Sequence, residues 1–285
     1  MISANIITFN PNVEVLQNAV NSLEHQVDKI IIINNSDYDV LIKSSKVIVV
    51  NLGGNFGIAK AQSIGMEKSF SEGADFVLQM DQDSEVPDGM VDKLLASYRY
   101  LESKGYNIGL IGPLDFDKIT GHVNKARLNK GKLVEERYSF VDSTLSSGSL
   151  IPKKAYLSIG GMYNDLFIDI VDHEYCWRLG ASGFDVVRDN SVKLPHRIGN
   201  GKKKILGLIS VGVPAPFRHY YAVRNTLFLM RKSYPPLKWK LTAIPKIMFK
   251  LLMYPFFLDH GASRFKFIIK GIIDGVTGKL GKYSE

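Results

Sequence analysis

Asp81 and Asp83 stand two residues apart, directly after the apolar run at residues 76–80. A hard divalent cation takes oxygen ligands and often shares them with substrate phosphates, so this pair suits a metal–diphosphate site. In open α/β sheets, ligands collect at the carboxyl ends of strands, where this pair would lie. An isolated Asp-x-Asp is also typical of an ordinary polar turn, so the surrounding residues must decide.

A second polar cluster, Asn34-Asn35-Ser36-Asp37, follows the β-branched run at residues 29–33. Small polar groups at a strand end can hydrogen-bond the polar edge of a nucleobase. A turn remains the alternative, because Asn and Asp favour turns. We interpret the cluster as part of a nucleotide site because a turn alone does not require this location.

A glycine loop, Asn51-Leu52-Gly53-Gly54-Asn55-Phe56-Gly57, lies between a predicted strand and a predicted helix. Its glycines permit positive φ and close backbone approach, and the amino end of the following helix favours anions. No Gly-Lys-Ser/Thr follows, and the spacing differs from Gly-x-Gly-x-x-Gly, which disfavours an ATPase or a dinucleotide enzyme. A plain glycine loop remains possible at this stage.

A third cluster contains Asp169, Asp172 and Glu174 within six residues, followed by Arg178. If a helix begins near Val171, Asp172 lies in its first turn. A carboxylate held at the edge of a cleft can accept a proton from a substrate hydroxyl. The alternative is a solvated helix start, where acidic residues are favoured anyway.

Two further candidates lie later in the chain. His196 has two interpretations: it binds a metal or a diphosphate, or it is an ordinary polar residue of a loop. Arg224, beside Asn225 on a predicted helix, either pairs with a phosphate or is a surface charge.

The elements that must position these residues alternate between strand and helix through the first half of the chain. This rhythm predicts a doubly wound, mostly parallel sheet. Residues 115–145 are predicted to form hairpin or loop excursions, and the chain past residue 200 is predicted to be helical and basic. The predicted strands are residues 4–9, 29–33, 46–50, 75–80, 108–112 and 149–151, and the predicted helices begin near residues 10, 57, 87, 153 and 171.

Charge is distributed unevenly along the 285 residues: residues 1–196 carry 19 Lys and Arg against 25 Asp and Glu, and residues 197–285 carry 17 against three. A basic tail of this kind suits an anionic surface. The single cysteine, Cys176, excludes an intramolecular disulfide and is typical of a small buried hydrophobe in a reducing compartment. Residues 1–8 lack signal-peptide features, and no run of about 18 apolar residues predicts a membrane span.

The tail at residues 235–275 interleaves Lys and Arg with aromatic and long aliphatic residues. An amphipathic helix of this composition can lie in an anionic membrane interface. The alternative is a helix pair that packs on the catalytic domain or on a second copy in a homodimer. Nucleic acid is disfavoured as a partner, because phosphate binding needs charge but not this much large apolar surface.

Together these pieces resemble family 2 glycosyltransferases and, within them, the bacterial rhamnosyltransferases. The resemblance covers roughly residues 1–230, and Gln62 and Tyr175 depart from its usual pattern. Its motifs are Thr8-Phe9-Asn10-Pro11, Asn34-Asn35-Ser36, the glycine loop with Ile58-Ala59, Asp81-Gln82-Asp83-Ser84, Ser147-Gly148, Phe167-Ile168-Asp169 with Asp172 and Glu174, His196, Arg224-Asn225 and, in the tail, Lys270-Gly271-Ile272-Ile273-Asp274-Gly275.

This resemblance implies an α/β fold of the glycosyltransferase A type, Rossmann-like with a mostly parallel central sheet. Residues 1–230 would form the catalytic domain, and residues 231–285 a basic amphipathic helical extension that associates with a membrane or partner. Asp172 would be the catalytic base, and Asp83, with His196, would hold Mg²⁺ or Mn²⁺. The donor nucleotide would be bound by Thr8, Asn10, Asn35, Asp37, Asn55, Gly57, Asp81 and Gln82, and the acceptor or diphosphate would contact Ser147, Gly148, Asp169, Glu174 and Arg224.

The activity that the resemblance implies is metal-dependent, inverting transfer of L-rhamnose from dTDP-L-rhamnose. The acceptor would be a lipid-linked saccharide for cell-surface polysaccharide, reached by a cytoplasmic enzyme bound peripherally at the inner face of the cell membrane. A UDP-hexose donor is the near alternative, since no residue selects rhamnose. A nucleotidyltransferase would place a basic, glycine-rich loop after the first strand, and residues 8–13 contain neither Gly nor Lys. Asp83 and Asp172 argue against a non-catalytic membrane scaffold.

Overall fold

The structure is a computed structural model that describes residues 1–117, 131–196, 202–205, 207 and 209–284. Its strands are β1 (Ile2–Thr8), β2 (Lys29–Asn34), β3 (Val47–Asn51), β4 (Phe76–Asp81), β5 (Ile108–Asp117), β6 (Lys132–Val134), β7 (Tyr138–Phe140), β8 (Leu150–Pro152), β9 (Asp185–His196), β10 (Lys202–Ile205) and β11 (Ile209–Gly212). Its helices are α1 (Val13–Leu23), α2 (Ile58–Ser71), α3 (Met90–Ser103), α4 (Lys153–Ile159), α5 (Val171–Ala181), α6 (Arg218–Met230), α7 (Leu237–Phe257) and α8 (Gly261–Thr277), with a 3-10 turn at Asn164–Leu166.

One large sheet has the strand order β3-β2-β1-β4-β8-β5-β9-β7-β6. Strands β3, β2, β1 and β4 are mutually parallel, and β5 pairs in parallel with β9. The predicted α/β fold with parallel central strands is therefore confirmed. The sheet is mixed outside this part, because β8 enters antiparallel between β4 and β5, and β7 pairs antiparallel with β9.

Buried β-branched residues explain the parallel half of the sheet. In β2, Ile30, Ile31, Ile32 and Ile33 alternate in direction, yet none has any exposed surface, so both faces are covered. Burying each of these side chains contributes about 1.5–3 kcal/mol. Helix α1 covers one face, and its amino end is capped by the Asn12 side chain, which accepts a hydrogen bond from the Val15 amide.

The sequence prediction differs from the structure in the second half of the chain. Strand β9 was not predicted, and the β10–β11 hairpin occupies a region predicted to be helical. Strand β9 pairs with β5 on one side and β7 on the other, and these partners lie far away in sequence. The predicted hairpin is present as β6–β7, while residues 118–130 of that region lie outside the described residues.

Helices α6 and α8 cross closely because α8 presents two glycines at the contact. A Cβ added at Gly271 would lie 2.7 Å from the carbonyl oxygen of Tyr220, and one at Gly275 would lie 3.0 Å from that of Arg224. The Tyr220 hydroxyl also donates to the buried Asp274 carboxylate at 2.7 Å. The domain boundary at residue 230 stays a prediction, but any division there separates helices in tight contact.

Helix α7 exposes a row of large apolar side chains to solvent. Their spacing of three or four residues places them on one helical face. Of the helices that the structure describes, none combines the length and apolar character needed to cross a bilayer. The row consists of Leu237, Leu241, Ile244, Met248, Leu252 and Phe256, and we call it the α7 apolar face.

Candidate active site

The carboxyl ends of β1, β2 and β3 lie side by side and are joined by polar side chains. Thr8 pairs in register with Asn34, and Asn34 pairs with Asn51. The Thr8 hydroxyl donates to Asn34 Oδ1 at 3.2 Å, and Asn34 Nδ2 donates to Asn51 Oδ1 at 2.9 Å. The structure therefore brings these predicted polar residues together at one sheet edge, with Asp81 at the end of the adjacent β4.

Asn35 and Asn55 shape the glycine loop between β3 and α2. Asn35 Nδ2 donates to Asn55 Oδ1 at 3.3 Å, and Asn35 Oδ1 accepts from the Phe56 amide at 2.8 Å. Asn55 Oδ1 also accepts from the Gly57 amide at 3.0 Å. Both side chains predicted to contact the nucleotide thus also fix the backbone that would surround it.

Gly57 is required by the protein's own packing. Its φ is +86°, and a Cβ at this position would lie 2.6 Å from the ring and the carbonyl oxygen of Phe167. The close backbone approach predicted for this loop is real, but the neighbour is Phe167. The Phe167 carbonyl also accepts a hydrogen bond from the Ala59 amide at 3.3 Å. The start of α2 is thereby fixed against the loop that precedes α5.

The Asp-Gln-Asp segment ends β4 next to the turn after β1. Gln82 Oε1 accepts a hydrogen bond from the Phe9 amide at 2.8 Å, while Asp81 is half-buried and Asp83 is exposed. Asn10, with φ +46°, donates its amide to the Ser36 hydroxyl at 2.8 Å, and Asp37 is exposed beside it. Carboxylates and amides thus line one open edge, as the sequence predicted.

Residues 142–149 form a loop that contacts both carboxylate clusters, and we call it the bridging loop. At one end, Ser147 Oγ accepts a hydrogen bond from the Asp81 amide at 3.2 Å, and the Gly148 amide donates to the Gln79 carbonyl at 2.7 Å. At the other end, the Ser143 hydroxyl lies 2.6 Å from Nδ1 of His173, the residue after Asp172. The loop therefore connects the end of β4 to the start of α5.

Sequence reasoning did not anticipate what Gln62 and Gly148 do around this loop. Gln62 Nε2 donates to the Ser146 hydroxyl at 3.1 Å, so the residue that departs from the family pattern supports the loop. Gly148 has φ +79°, and a Cβ there would lie 2.7 Å from Leu194 and 2.8 Å from Pro113. Gly148 therefore packs against β5 and β9. The only sequence signal for this role of Gln62 was its polar side chain on the buried face of α2.

The segment before α5 has an unusual backbone. Phe167, Asp169 and Ile170 all have positive φ, each of which costs about 1–3 kcal/mol in a residue other than glycine. The Ile168 amide donates to the Leu166 carbonyl at 2.7 Å across Phe167, whose φ of 65° and ψ of −66° form a γ-turn. Such strain persists only where the surroundings hold it, and it is common at functional sites.

Asp172 and Asp169 have different surroundings in this segment. Asp172 lies in the first turn of α5, as predicted, is half-buried, and accepts the His173 amide at 2.8 Å. Asp169 forms two hydrogen bonds with Arg218, at 2.5 and 3.2 Å. Of these two carboxylates, Asp169 is the one that forms an ion pair within the described part of the chain, with Arg218.

Glu174 is placed inside the protein. Its side chain has no exposed surface and accepts from Arg178 at 2.8 and 3.0 Å and from the Tyr234 hydroxyl at 2.9 Å. Burial by itself would lower the pKa of Arg178, but the Glu174 carboxylate raises it above its ordinary value. In this arrangement Glu174 has no surface for an acceptor, and the geometry favours a structural role over the predicted contact.

Arg224 is also fully buried, so neither sequence interpretation, a phosphate contact or a surface charge, fits its position. Its guanidinium donates to the carbonyls of Leu166 at 2.9 Å and Gly281 at 2.5 Å. It also stacks against the rings of Tyr220 and Tyr221 at 5.2 and 5.0 Å.

Cys176 is buried as predicted, and burial raises the pKa of its thiol to about 12, so it stays protonated at neutral pH.

The side chains that the structure describes do not form a complete metal site by themselves. His196 ends β9 opposite Asp117, and its side chain lies outside the described part of the chain. Among the side chains that are described, no three His, Cys, Asp or Glu residues cluster as a metal would require. The exposed Asp83 carboxylate still fits a hard cation that takes its other ligands from substrate phosphates and water.

Comparison with known proteins agrees with this architecture. The model of glycosyl transferase family 2 matches residues 3–126, which include the glycine loop and the Asp81–Asp83 pair. The dTDP-rhamnosyl transferase RfbF of Shigella flexneri is 32% identical over 295 residues, covering 98% of this chain and 97% of the relative. That alignment extends over both carboxylate clusters and the carboxyl-terminal helices.

Solved structures share the fold at low sequence identity. GalNAc-T7, crystallised with UDP, GalNAc and Mn²⁺, superposes with a TM-score of 0.57 at 14% identity over 98% of this chain. S. aureus TarS gives a TM-score of 0.54 at 11% identity over 87% of this chain. This chain spans 57% of the GalNAc-T7 chain and 42% of that TarS chain. By the family model and the full-length relative, the chain belongs to glycosyl transferase family 2, within its bacterial rhamnosyltransferase group, and is a glycosyltransferase enzyme.

Proposed function

We propose that this enzyme transfers L-rhamnose from dTDP-L-rhamnose, with inversion, to a lipid-linked saccharide that becomes cell-surface polysaccharide. The observation that carries the donor assignment is the dTDP-rhamnosyl transferase relative, which aligns with 98% of the chain. An alignment of that extent includes the strand ends, the bridging loop and the start of α5. The solved structures support the fold, but the UDP and GalNAc bound to GalNAc-T7 do not bear on this donor because its identity to the chain is 14%.

The donor would lie along the open carboxyl edge of β1 to β4. Asn10, Asn35 and Asp37, in the turns after β1 and β2, would offer hydrogen-bonding groups of the kind that a nucleobase needs. Thr8, which ends β1, has no exposed surface and would support the site through its bond to Asn34. The glycine loop, with the start of α2 behind it, and Asp81 with Gln82 would flank the rest of the nucleotide. The hydrogen bonds that Asn35 and Asn55 make to the loop support a site that is formed before the donor binds.

Asp83 would hold Mg²⁺ or Mn²⁺, with His196 as a second candidate ligand. A cation of this kind is commonly bound by one or two carboxylates together with substrate phosphates. When bound, it neutralises the charge that develops on the leaving diphosphate. This assignment is supported by the exposed position of Asp83 directly after β4.

Asp172 would act as the general base. Its carboxylate takes the proton of the acceptor hydroxyl while the hydroxyl oxygen attacks the anomeric carbon on the face opposite the diphosphate. The bond from that carbon to the diphosphate oxygen breaks as the new glycosidic bond forms, and dTDP leaves. A single displacement of this kind inverts the anomeric configuration. The bridging loop supports the pairing of the two sites, since it contacts both Asp81 and the residue after Asp172.

The acceptor would be reached from an anionic membrane surface through α7. Six large apolar side chains of the α7 apolar face are between 45% and 81% exposed. Residues 197–285 carry 17 Lys and Arg against three Asp and Glu, which complements anionic headgroups. We propose peripheral attachment at the inner face of the cell membrane, where a lipid-linked saccharide would be presented. A homodimer through the same face is the competing arrangement.

A donor screen tests the reaction. Purified protein is incubated with dTDP-L-rhamnose, dTDP-glucose, UDP-glucose or UDP-GlcNAc in the presence of Mn²⁺ and a lipid-linked saccharide extract, and release of nucleotide diphosphate is measured. We expect acceptor-dependent release of dTDP from dTDP-L-rhamnose and little release from the UDP-sugars. Faster turnover of a UDP-hexose would overturn the donor assignment and leave the reaction class intact.

A further inference from the structure

Asn225 on α6 contacts the strained segment before α5 at three points. Its side-chain amide, Nδ2, lies 3.0 Å from the Leu166 carbonyl, 2.9 Å from that of Ile168 and 2.9 Å from that of Asp169. The side chain is completely buried, so water does not compete for these bonds. One amide group therefore spans the γ-turn and the positive-φ residue that follows it.

Arg224 orients the Asn225 side chain and extends the same set of bonds. Its Nε donates to Asn225 Oδ1 at 3.0 Å, which fixes which end of the amide faces the segment. Its Nη2 donates to the carbonyls of Leu166 at 2.9 Å and Asp165 at 3.2 Å. Both polar atoms of the Asn225 side chain are therefore hydrogen-bonded: Oδ1 accepts from Arg224, and Nδ2 donates to the carbonyls of Leu166, Ile168 and Asp169.

Residues 166–170, which include the carbonyls that Asn225 bonds, lead directly into the first turn of α5. Ile170, at φ 66°, is the cap residue before the helix, and its carbonyl accepts the Glu174 amide at 2.9 Å. Asp172 follows two residues later. Because β-branched residues do not adopt positive φ without support, the direction in which α5 begins depends on the groups that hold residues 166–170.

We propose that Asn225 is a positioning residue for sugar transfer: by bonding the carbonyls of Leu166, Ile168 and Asp169, it sets the position of the Asp172 carboxylate. The inference rests on the proposed role of Asp172 as base. Asn225 itself is buried and touches neither donor nor acceptor. Its loss should therefore affect chiefly the step that uses Asp172, with a smaller effect on donor binding, because Phe167 of the same segment contacts Gly57 of the glycine loop.

The test is Asn225→Asp, which keeps the size of the side chain and replaces the donating amide with an oxygen facing three carbonyls. We expect kcat for acceptor-dependent transfer to fall by about tenfold or more, since small misplacements of a catalytic group have effects of this size. The KM for dTDP-L-rhamnose should stay within about twofold of the unchanged enzyme.

Tyr220→Phe is the matched control. It removes a buried hydrogen bond from the same helix, to Asp274 at 2.7 Å, but keeps the ring that stacks on Arg224. We expect it to lower the unfolding temperature while kcat per folded molecule is unchanged. Unchanged kcat in Asn225→Asp, or an equal loss in Tyr220→Phe, would overturn the positioning role. If Asn225→Asp does not fold, Asn225→Ser decides by the same comparison.

Asp172→Asn, assayed in parallel, separates this inference from the proposed function. Normal transfer by Asp172→Asn would show that the base is wrongly assigned. An inactive Asp172→Asn beside a fully active Asn225→Asp would show that only the positioning inference fails. A loss of transfer in both variants, with donor KM preserved in both, is the expected result.

Discussion

Asp169 and Arg218 form a two-bond ion pair, with Arg218 Nη2 at 2.5 Å and Nε at 3.2 Å from the two carboxylate oxygens. Asp172, three residues later, accepts the amide of His173 and is half-buried. Both oxygens of the Asp169 carboxylate are therefore hydrogen-bonded to a guanidinium, whereas the Asp172 carboxylate accepts a backbone amide. This difference supports the proposed roles, with Asp172 as the base and Asp169 as the partner of Arg218.

Asp172→Asn should abolish transfer without weakening the donor site. We expect kcat to fall by about a thousandfold, because removal of a general base has effects between about 10² and 10⁴. Affinity for dTDP, measured by calorimetry, should remain within about twofold. Asp169→Asn is the comparison variant and should lose less. If instead Asp169→Asn is inactive and Asp172→Asn transfers normally, the base is Asp169.

Asp83→Ala should remove the metal-dependent part of donor binding. Asp83 supplies an exposed carboxylate at the end of β4, and without it the cation loses its expected protein ligand. Calorimetric titration of dTDP with and without Mn²⁺ measures the effect, and the gain in affinity caused by Mn²⁺ should disappear. Asp88→Ala, which removes another exposed carboxylate from the turn before α3, should behave as the unchanged enzyme. An undiminished Mn²⁺ effect in Asp83→Ala would place the metal elsewhere.

Replacing part of the α7 apolar face should release the protein from anionic vesicles. The variant combines Leu241→Ser, Met248→Ser and Phe256→Ser, which change exposed side chains and so leave the fold intact. Binding to phosphatidylglycerol-containing vesicles should weaken by at least about tenfold, since each buried side chain contributes on the order of 1 kcal/mol or more. Sedimentation with vesicles measures the bound fraction.

The control for this experiment replaces three exposed leucines elsewhere, Leu41, Leu133 and Leu157, with Ser. Vesicle binding should be unchanged in it. If the α7 variant still binds vesicles but changes from dimer to monomer in analytical ultracentrifugation, the face belongs to a homodimer. Deleting residues 236–285 would be a poorer test, because α8 packs against α6 and the chain near Gly281 bonds to Arg224.

Glu174→Gln should lower stability strongly. The substitution leaves the Arg178 guanidinium, which is largely buried, without a carboxylate partner, and breaking a buried pair typically costs about 3–5 kcal/mol. Urea unfolding measures the change. Glu102→Gln disrupts the exposed pair with Lys154 and should change stability by less than about 1 kcal/mol. A Glu174→Gln protein of normal stability but altered acceptor KM would restore the predicted acceptor contact.

His219 should make the protein less stable as the pH falls below about 6.5. Burial, together with the charges of Lys250, Arg264 and Arg218, lowers the pKa of His219 from 6.5 to about 3. Between these values the unfolded chain binds a proton that the folded chain does not, so unfolding becomes easier as pH is lowered. His219→Gln keeps a group that can accept from Arg264, whose Nη1 lies 2.6 Å from His219 Nε2.

The measurement is urea unfolding of both proteins at about pH 7.5 and about pH 5. We expect the unchanged protein to lose about 1–2 kcal/mol more than His219→Gln over this interval, from 1.36 kcal/mol per pKa unit. Other carboxylates titrate in both proteins and cancel in the comparison. Equal losses would show that His219 is protonated in the folded state as well.

Local signals were sufficient for the parallel half of the sheet and for α5. Apolar β-branched runs closed by Asn, Asp or Gly predicted β1 to β4 within one or two residues, and α5 begins at the predicted residue. Strand β9 was missed because Asp189 and Asn190 interrupt its apolar pattern. Asp189 is buried nevertheless, and although burial would raise its pKa, Arg137 and Ser97 hold that pKa below its usual range. Those partners lie 52 and 92 residues away.

The sequence by itself determined which carboxylates and amides lie at the strand ends, because strand, turn and polar residue stand next to one another in the chain. The tertiary structure alone decided which of the later polar residues are buried as part of the fold and which stay accessible. Arg224 and Asn225 bond carbonyls more than 50 residues away, and Glu174 is enclosed by Arg178 and Tyr234. Burial and hydrogen-bond partners depend on how distant segments pack, and a charged residue has the same letter whether it contacts a diphosphate or a buried carbonyl.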